Sequence, residues 1–302
     1  MGLDLTAHDV AVREHRGSSR TRPSRLRKAM LTVAVVIGSS SLLSGCAQAD
    51  RDQIKRLALP EAASDRTDAM FNLWVGAWIA VLVTFLLVFG LMAWAMVRYR
   101  KRDEHIVPPQ VRYNLPIEVL YTIAPVIVVA VFFFHTVEAQ NEMLRKVDNP
   151  DHTVTVVGSR WQWGFNYLDE SAVGGQAVFD YGTPAQPADL YLPVDESVRF
   201  DLKSPDVIHS FWIPEFYFKM DVIPGKVNSF DLTPTREGTF TGRCAELCGL
   251  YHSRMLFKVH IVSASEYEDH LKKLEQDGQI GEPEGGKDAI TIAGLAENGE
   301  EQ

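Results

Sequence analysis

The sequence predicts a two-helix transmembrane hairpin followed by an all-β domain, and three observations carry that prediction. Apolar residues make up 46% of the 302 residues, but they crowd before residue 140. There they form two long uncharged runs, which is the signature of membrane spans. Beyond Asp151 the hydrophobic period changes to two, and Gly, Pro and Asp punctuate it at short intervals, as strands and turns require.

The chain opens with a segment of a different kind. Arg20, Arg22, Arg25, Arg27 and Lys28 precede a short apolar stretch, Ala29 to Leu43, which ends in Leu43-Ser44-Gly45-Cys46. Basic, apolar and small-residue parts in that order read as a signal peptide over residues 1–45. Its last four residues are similar to the lipobox of bacterial lipoproteins, which implies that Cys46 becomes the lipid-bearing first residue. The alternative is an ordinary free cysteine at the junction. Residues 46–68 then make an extracytoplasmic lead-in.

From Ala69 to Val97 no side chain is charged. Such a run crosses ~30 Å of hydrocarbon with some tilt. It ends in Arg98-Tyr99-Arg100-Lys101-Arg102, and basic clusters favour the cytoplasmic side. A second apolar run, Val119 to Phe134, returns the chain outward, so the hairpin occupies 69–137 and everything after about Glu138 is extracytoplasmic. Glu118 opens this second run. A carboxylate at a bilayer boundary is either a simple interfacial charge or a proton-path group, and position alone favours the first.

In the β domain, placed at 138–263, strands are predicted over Thr153–Val157, Trp161–Tyr167, Ser197–Leu202, Val227–Leu232, Gly238–Arg243 and Met255–Val262. Their number and spacing suit an antiparallel sandwich or barrel of about 120 residues. In residues 264–302, Tyr267, Leu271 and Leu274 fit one face of a short helix, and the Gly- and Glu-rich remainder reads as disordered.

The formal charge is −9, of which +4 lies in the first 45 residues, so removal of the signal leaves −13. From Ala264 onward eleven acidic side chains face Lys272, Lys273 and Lys287. Nucleic acid is thereby disfavoured as a partner. A basic protein partner is permitted, but acidity confined to a tail argues for one only weakly.

Three cysteines are too few for a disulfide framework. Two of them stand in the stretch Cys244-Ala245-Glu246-Leu247-Cys248-Gly249-Leu250-Tyr251-His252-Ser253-Arg254-Met255, with His209 upstream on a neighbouring turn. Two thiolates, two imidazoles and a thioether are ligands suited to copper, and a second cysteine on one short loop lets both sulfurs bridge two ions. The residues leave alternatives open: a disulfide between Cys244 and Cys248, tetrahedral zinc on the two Cys and two His, or His252 and Met255 as plain core. Met255 favours copper, since zinc rarely takes a thioether.

The loop Cys-x-Glu-x-Cys-x-x-x-His-x-x-Met, preceded by Asp206-Val207-Ile208-His209-Ser210-Phe211, resembles the CuA site of cytochrome c oxidase subunit II, and the resemblance covers about Ala69 to Val262. It implies a cupredoxin-like Greek-key barrel. It also implies that Cys244 and Cys248 are bridging thiolates, that His209 and His252 are imidazole ligands, that Met255 binds one copper weakly and that Glu246 binds the other through its carbonyl. The Glu246 side chain would lie towards a magnesium ion shared with subunit I. Trp161-Gln162-Trp163-Gly164-Phe165 is similar to the family's aromatic cluster, which makes Trp161 the point of electron entry from cytochrome c or a membrane-bound c-type cytochrome. Arg160 and Gly164 depart from the commonest form of that cluster. Glu118 to Pro125 resembles the start of the family's second helix, where the glutamate marks the mouth of a proton channel. The resemblance thus implies an oxidase subunit in a lipid membrane that passes electrons to haem in subunit I, for oxygen reduction coupled to proton pumping. Competing functions are a quinol oxidase subunit, whose relatives lack the copper ligands, a copper-storage lipoprotein, and a zinc-stabilised module.

Overall fold

A computed structural model describes residues 48–100, 110–183 and 185–285. The signal peptide and Cys46 lie outside the described residues, as do Lys101 and Arg102 of the basic cluster and residues 286–302 of the tail.

A short helix, α1 (Gln48–Lys55), comes first, with Lys55 paired to Asp52 on its own surface. The two membrane helices follow as α2 (Thr67–Arg98) and α3 (Leu115–Met143). Both run beyond their apolar segments because the flanking polar residues find partners. Asn114 caps α3, its side chain accepting the Ile117 N–H, while the Glu118 carboxylate accepts the Asn114 N–H at 2.8 Å, a reciprocal cap. At the opposite end Arg66, 3% exposed, donates to the Glu142 carboxylate at 2.8 Å and so ties the start of α2 to the end of α3. Between these ends the helices present Leu, Val, Ile and Phe outward, as a lipid solvent demands. Trp74 and Trp78 stand near the start of α2, and Trp94 and Tyr99 near its end, the depths at which amphipathic rings settle.

Among the described residues ten strands form two five-stranded sheets. The first has the order β3-β2-β1-β5-β8, with β1 at His152–Ser159, β2 at Gln162–Leu168, β3 at Val178–Tyr181, β5 at Val198–Lys203 and β8 at Asn228–Leu232. The second has the order β4-β10-β9-β6-β7, with β4 at Asp189–Pro193, β6 at His209–Ile213, β7 at Phe218–Val222, β9 at Gly238–Cys244 and β10 at Leu256–Val262. The expected β domain is therefore present as a two-sheet sandwich. It is not purely antiparallel: β1 runs parallel to β5, and β4 parallel to β10.

Aromatic rings fill the space between the sheets. Phe211 stacks on Phe257 at 5.0 Å, Phe200 on Phe230 at the same separation, and Trp163 meets Phe211 and Phe257 edge-on. Such rings contribute large buried areas and hold their neighbours in fixed orientations. Helix α4 (Ala264–Gln276) buries Tyr267, Leu271 and Leu274, the three residues its sequence pattern singled out.

The segment after α4 departs from the expectation of disorder as far as Gly285. Ile280 bridges Val178 at the edge of β3, the Phe179 and Gly281 amides bond to Gln279 and Ala177, and the Pro283 carbonyl accepts from Asn166 and Tyr181. Gly285 then lies against Val157, Ser159 and Pro205. This strap covers the outer side of the first sheet, which explains why β1 and β2 are buried on both faces and lack clean alternation.

Candidate metal centre

The loop from Ala245 to Met255 joins β9 to β10 at one end of the sandwich, and backbone bonds close its base. The Cys244 amide donates to the Met255 carbonyl at 3.1 Å, and Ala245 donates to Ser210 of β6 at 2.9 Å. Within the loop Gly249 has φ +121, and a Cβ there would stand 3.1 Å from the Trp161 ring, so glycine meets both a backbone and a packing requirement. A single 3-10 turn, His252–Arg254, brings His252 back over the sulfurs.

His209, expected on a turn, is the first residue of β6, and its side chain is fully buried. The two cysteines are unpaired, with sulfurs 3.9 Å apart, so the disulfide alternative is excluded in this structure. His209 Nδ1 lies 3.9 Å from the Cys244 sulfur and His252 Nδ1 lies 3.5 Å from the Cys248 sulfur. The Met255 sulfur is 3.8 Å from Cys248, and the Glu246 carbonyl oxygen is 3.2 Å from Cys244. One cluster thus gathers five side chains and a carbonyl. His209, Cys244 and Cys248 have donor atoms within 4.8 Å of one another; His252 falls outside that set. A single tetrahedral ion, with bonds of ~2.0–2.3 Å, requires all four donors within roughly 4 Å of each other. The arrangement reads instead as two sulfur–imidazole pairs side by side.

Asp206, named in the sequence motif without a role, proves to orient the first of these pairs. Its carboxylate bonds to His209 Nε2 at 2.9 Å, which leaves Nδ1 for the sulfurs. It also accepts the amides of Arg160 at 2.7 Å and Val207 at 2.6 Å. Burial pushes the Asp206 pKa up, but the bonds from His209, Arg160 and Val207 outweigh it and hold the group at about 2. Burial likewise works against charge on His209, while bonds to Asp206 and Cys244 raise its pKa. The contact with Cys248, aided by His209, lowers the Cys244 thiol, and the same contact raises Cys248, as two sulfurs sharing one proton must. The spacing Asp-x-x-His was the available signal for this orienting carboxylate.

Two tryptophans support the site differently. Trp161 sits in the β1–β2 turn rather than in a strand, half-buried, and its indole N–H donates to the Cys248 carbonyl at 3.2 Å. Tyr251 meets it edge-on at 5.1 Å, a neighbour that sequence reasoning missed. Trp163 is core: its N–H donates to the Met255 carbonyl at 3.2 Å, and Gly158 leaves room between it and His209. The Glu246 side chain is exposed at the rim. Glu118 belongs to the cap of α3 and takes no part in this cluster.

Comparisons with known proteins follow the same division into a membrane hairpin and a β domain. The family model described as "Cytochrome C oxidase subunit II, periplasmic domain" matches residues 152–262, and "Cytochrome C oxidase subunit II, transmembrane domain" matches residues 53–137. A protein of Streptomyces avermitilis named "Probable cytochrome c oxidase subunit 2" is 41% identical, the alignment covering 88% of this chain and 92% of that protein. The "Cytochrome c oxidase subunit 2" of Corynebacterium glutamicum is 31% identical over 81% of this chain and 84% of that protein. Among solved structures, the periplasmic domain of subunit II of the oxidase of Bradyrhizobium japonicum shares 27% identity at a TM-score of 0.39, covering 44% of this chain and 99% of that one.

Proposed function

The chain belongs to the cytochrome c oxidase subunit II family, and from that premise we propose that its cysteine and histidine cluster is a two-copper electron-entry centre fed by a c-type cytochrome. Membership makes it a subunit of a haem–copper oxidase, an oxidoreductase complex, held in the membrane by α2 and α3 with the β sandwich on the periplasmic side.

In this reading Cys244 and Cys248 would hold two copper ions as thiolate ligands, with His209 and His252 as imidazole ligands through Nδ1, Met255 as a weak ligand and the Glu246 carbonyl completing the set. The observation that carries it is the pair of unbonded sulfurs 3.9 Å apart, each with its own imidazole. A binuclear copper centre would supply one-electron relay at low reorganisation cost. The residues do the rest. The sandwich fixes ligand positions, Asp206 aims His209, and Trp161 links the surface to a ligand residue by its hydrogen bond to the Cys248 carbonyl. The destination of the electron would be haem in subunit I, with oxygen reduction and proton pumping belonging to the assembly.

The same reading assigns the exposed Glu246 carboxylate to a magnesium ion shared with subunit I, Glu118 to the mouth of a proton path, and Cys46 to lipidation after removal of residues 1–45. It takes 46–68 as lead-in, 69–137 as hairpin and 138–263 as the copper-binding domain. The test is copper content and electron spin resonance of the purified oxidase. Two coppers sharing one unpaired electron support the assignment. A single copper, or zinc alone, refutes it, and turnover that survives Trp161→Ala would place electron entry elsewhere than at Trp161.

A further inference from the structure

The chain passes between sandwich and membrane twice, once entering α2 and once leaving α3. Two short crossings would by default leave the two parts free to rock. Here both are stitched. On the way in, the Ala63 amide donates to the Glu215 carbonyl at 2.9 Å and the Thr235 amide to the Ala63 carbonyl at 3.0 Å. The Asp65 amide donates to the Thr233 carbonyl at 3.0 Å, and the Thr233 amide returns a bond to the Asp65 carboxylate at 2.8 Å. On the way out, the fully buried Asp231 carboxylate accepts the Val147 amide at 2.7 Å and is paired with Arg199, which also donates to the Val147 carbonyl at 2.7 Å.

Arg66 joins the two crossings. Its guanidinium meets the Glu142 carboxylate at 2.8 Å and the Glu142 and Arg145 carbonyls at 3.4 Å, while Nε stands 3.3 Å from the Asp65 carboxylate. Its side chain makes no cap to α2, so these contacts serve the junction and not the helix. A guanidinium is costly to bury and is kept there only by such partners. The junction also lies at the wrong end for the metal cluster: Arg199 is opposite Thr153 near the start of β1, whereas Gly158, near its finish, lies against His209. The strand between them has eight residues. At ~3.3 Å per residue it is a lever of roughly 25 Å, so a tilt of ~5° at the junction moves the cluster by about 2 Å.

We propose that Arg66 is a positioning residue for the departure of the electron: by locking both crossings it keeps the cluster at a constant separation from its acceptor in subunit I. The inference rests on the copper reading of the cluster and adds what sets its place. Electron tunnelling falls off exponentially with separation, so a rocking sandwich slows departure. Arrival is spared, because a diffusing donor follows the sandwich wherever it goes.

The test uses the assembled oxidase, with spin labels on the exposed positions Tyr99 and Lys258 through cysteine substitutions. Arg66→Gln should broaden the distribution of distances between the labels and slow electron transfer out of the copper centre roughly tenfold. The copper spectrum and the rate of arrival from cytochrome c should not change. Arg66→Lys, which keeps the charge at a shorter reach, should recover part of the loss, and Glu142→Gln should give the same split to a smaller degree. If Arg66→Gln fails to assemble, Glu142→Gln decides. Unchanged departure in the assembled variants overturns the proposal, and so does an equal loss of arrival and departure, which would make Arg66 a general support of the fold. A parent oxidase without the binuclear resonance defeats the copper reading and this inference with it; a parent that shows the resonance beside variants with normal departure defeats the positioning role alone.

Discussion

Two histidines at opposite ends of β1, His209 fully buried and His152 largely so, have similar surroundings and different uses. His209, packed beside the far end of β1, gives Nε2 to Asp206 and keeps Nδ1 facing the cysteines. His152, the first residue of β1, spends both nitrogens on carboxylates: Nδ1 meets Glu170 at 3.0 Å and Nε2 meets Glu196 at 2.6 Å. Glu170 also accepts the Tyr267 hydroxyl at 2.9 Å, so this cluster pins α4 to the first sheet. One free nitrogen separates the proposed ligand from the clasp. Carboxylate contact and burial, the features most often read as functional, occur at both.

The comparison breaks most visibly at the sulfurs. Cys248→Ser should abolish the binuclear resonance and lower cytochrome c oxidation by about a hundredfold or more, measured on the purified oxidase, because one bridge is gone. Retained turnover would remove the basis for the metal assignment. Asp206→Asn comes next. It keeps the fold but loosens His209, and copper retention against a chelator should weaken roughly 10–100-fold, the usual effect of losing a partner that orients a ligand. Were His209 a clasp like His152, stability would fall and copper would not.

His152→Gln tests the other end. Without the imidazole the buried Glu170 loses its main partner, and the thermal transition should shift down by the equivalent of about 2 kcal/mol with the copper spectrum unchanged. This site also sets a pH dependence. Burial opposes charge on His152, but the bonds to Glu170 and Glu196 raise its pKa above the usual 6.5. A raised pKa contributes stability that is complete below about 6.5 and disappears as pH climbs through the higher folded-state value. Melting temperatures of the copper-loaded oxidase subunit between pH 6 and 9 should therefore decline, and His152→Gln should flatten the curve. The smallest effect belongs to Glu196→Gln. That carboxylate is 37% exposed, so water screens it and the loss should stay below about 1 kcal/mol, read as a small shift in the same melts.

Much of this architecture was legible in the sequence, for reasons that differ by element. The membrane helices announce themselves by length and absence of charge, and the proposed loop ligands by a spacing that few other chemistries need. Strands β3, β4, β6 and β7 were missed. Val178–Tyr181 is only four residues long, and Asp189–Pro193 ends on proline. In His209–Ile213 a histidine and a serine are buried in sequence, which breaks the period of two that marks a strand. That last miss is why His209 was expected on a turn. Trp161 erred the other way, since the aromatic run that begins with it reads as strand from its first residue. Asp206 and Tyr251 act through tertiary neighbours, Asp206 by turning an imidazole and Tyr251 by packing on an indole, and neither leaves a periodic trace.

The strap from Gln279 to Gly285 has a consequence for how copies of this protein behave together. It occupies the open side of β3, bridging Val178 through Ile280, and so shields a row of amide and carbonyl groups that would otherwise invite a second molecule to add a strand. A chain cut just after Gln276 keeps every proposed copper ligand, yet its bare border should zip onto that of its neighbours, so that truncated material self-associates while the intact subunit stays dispersed.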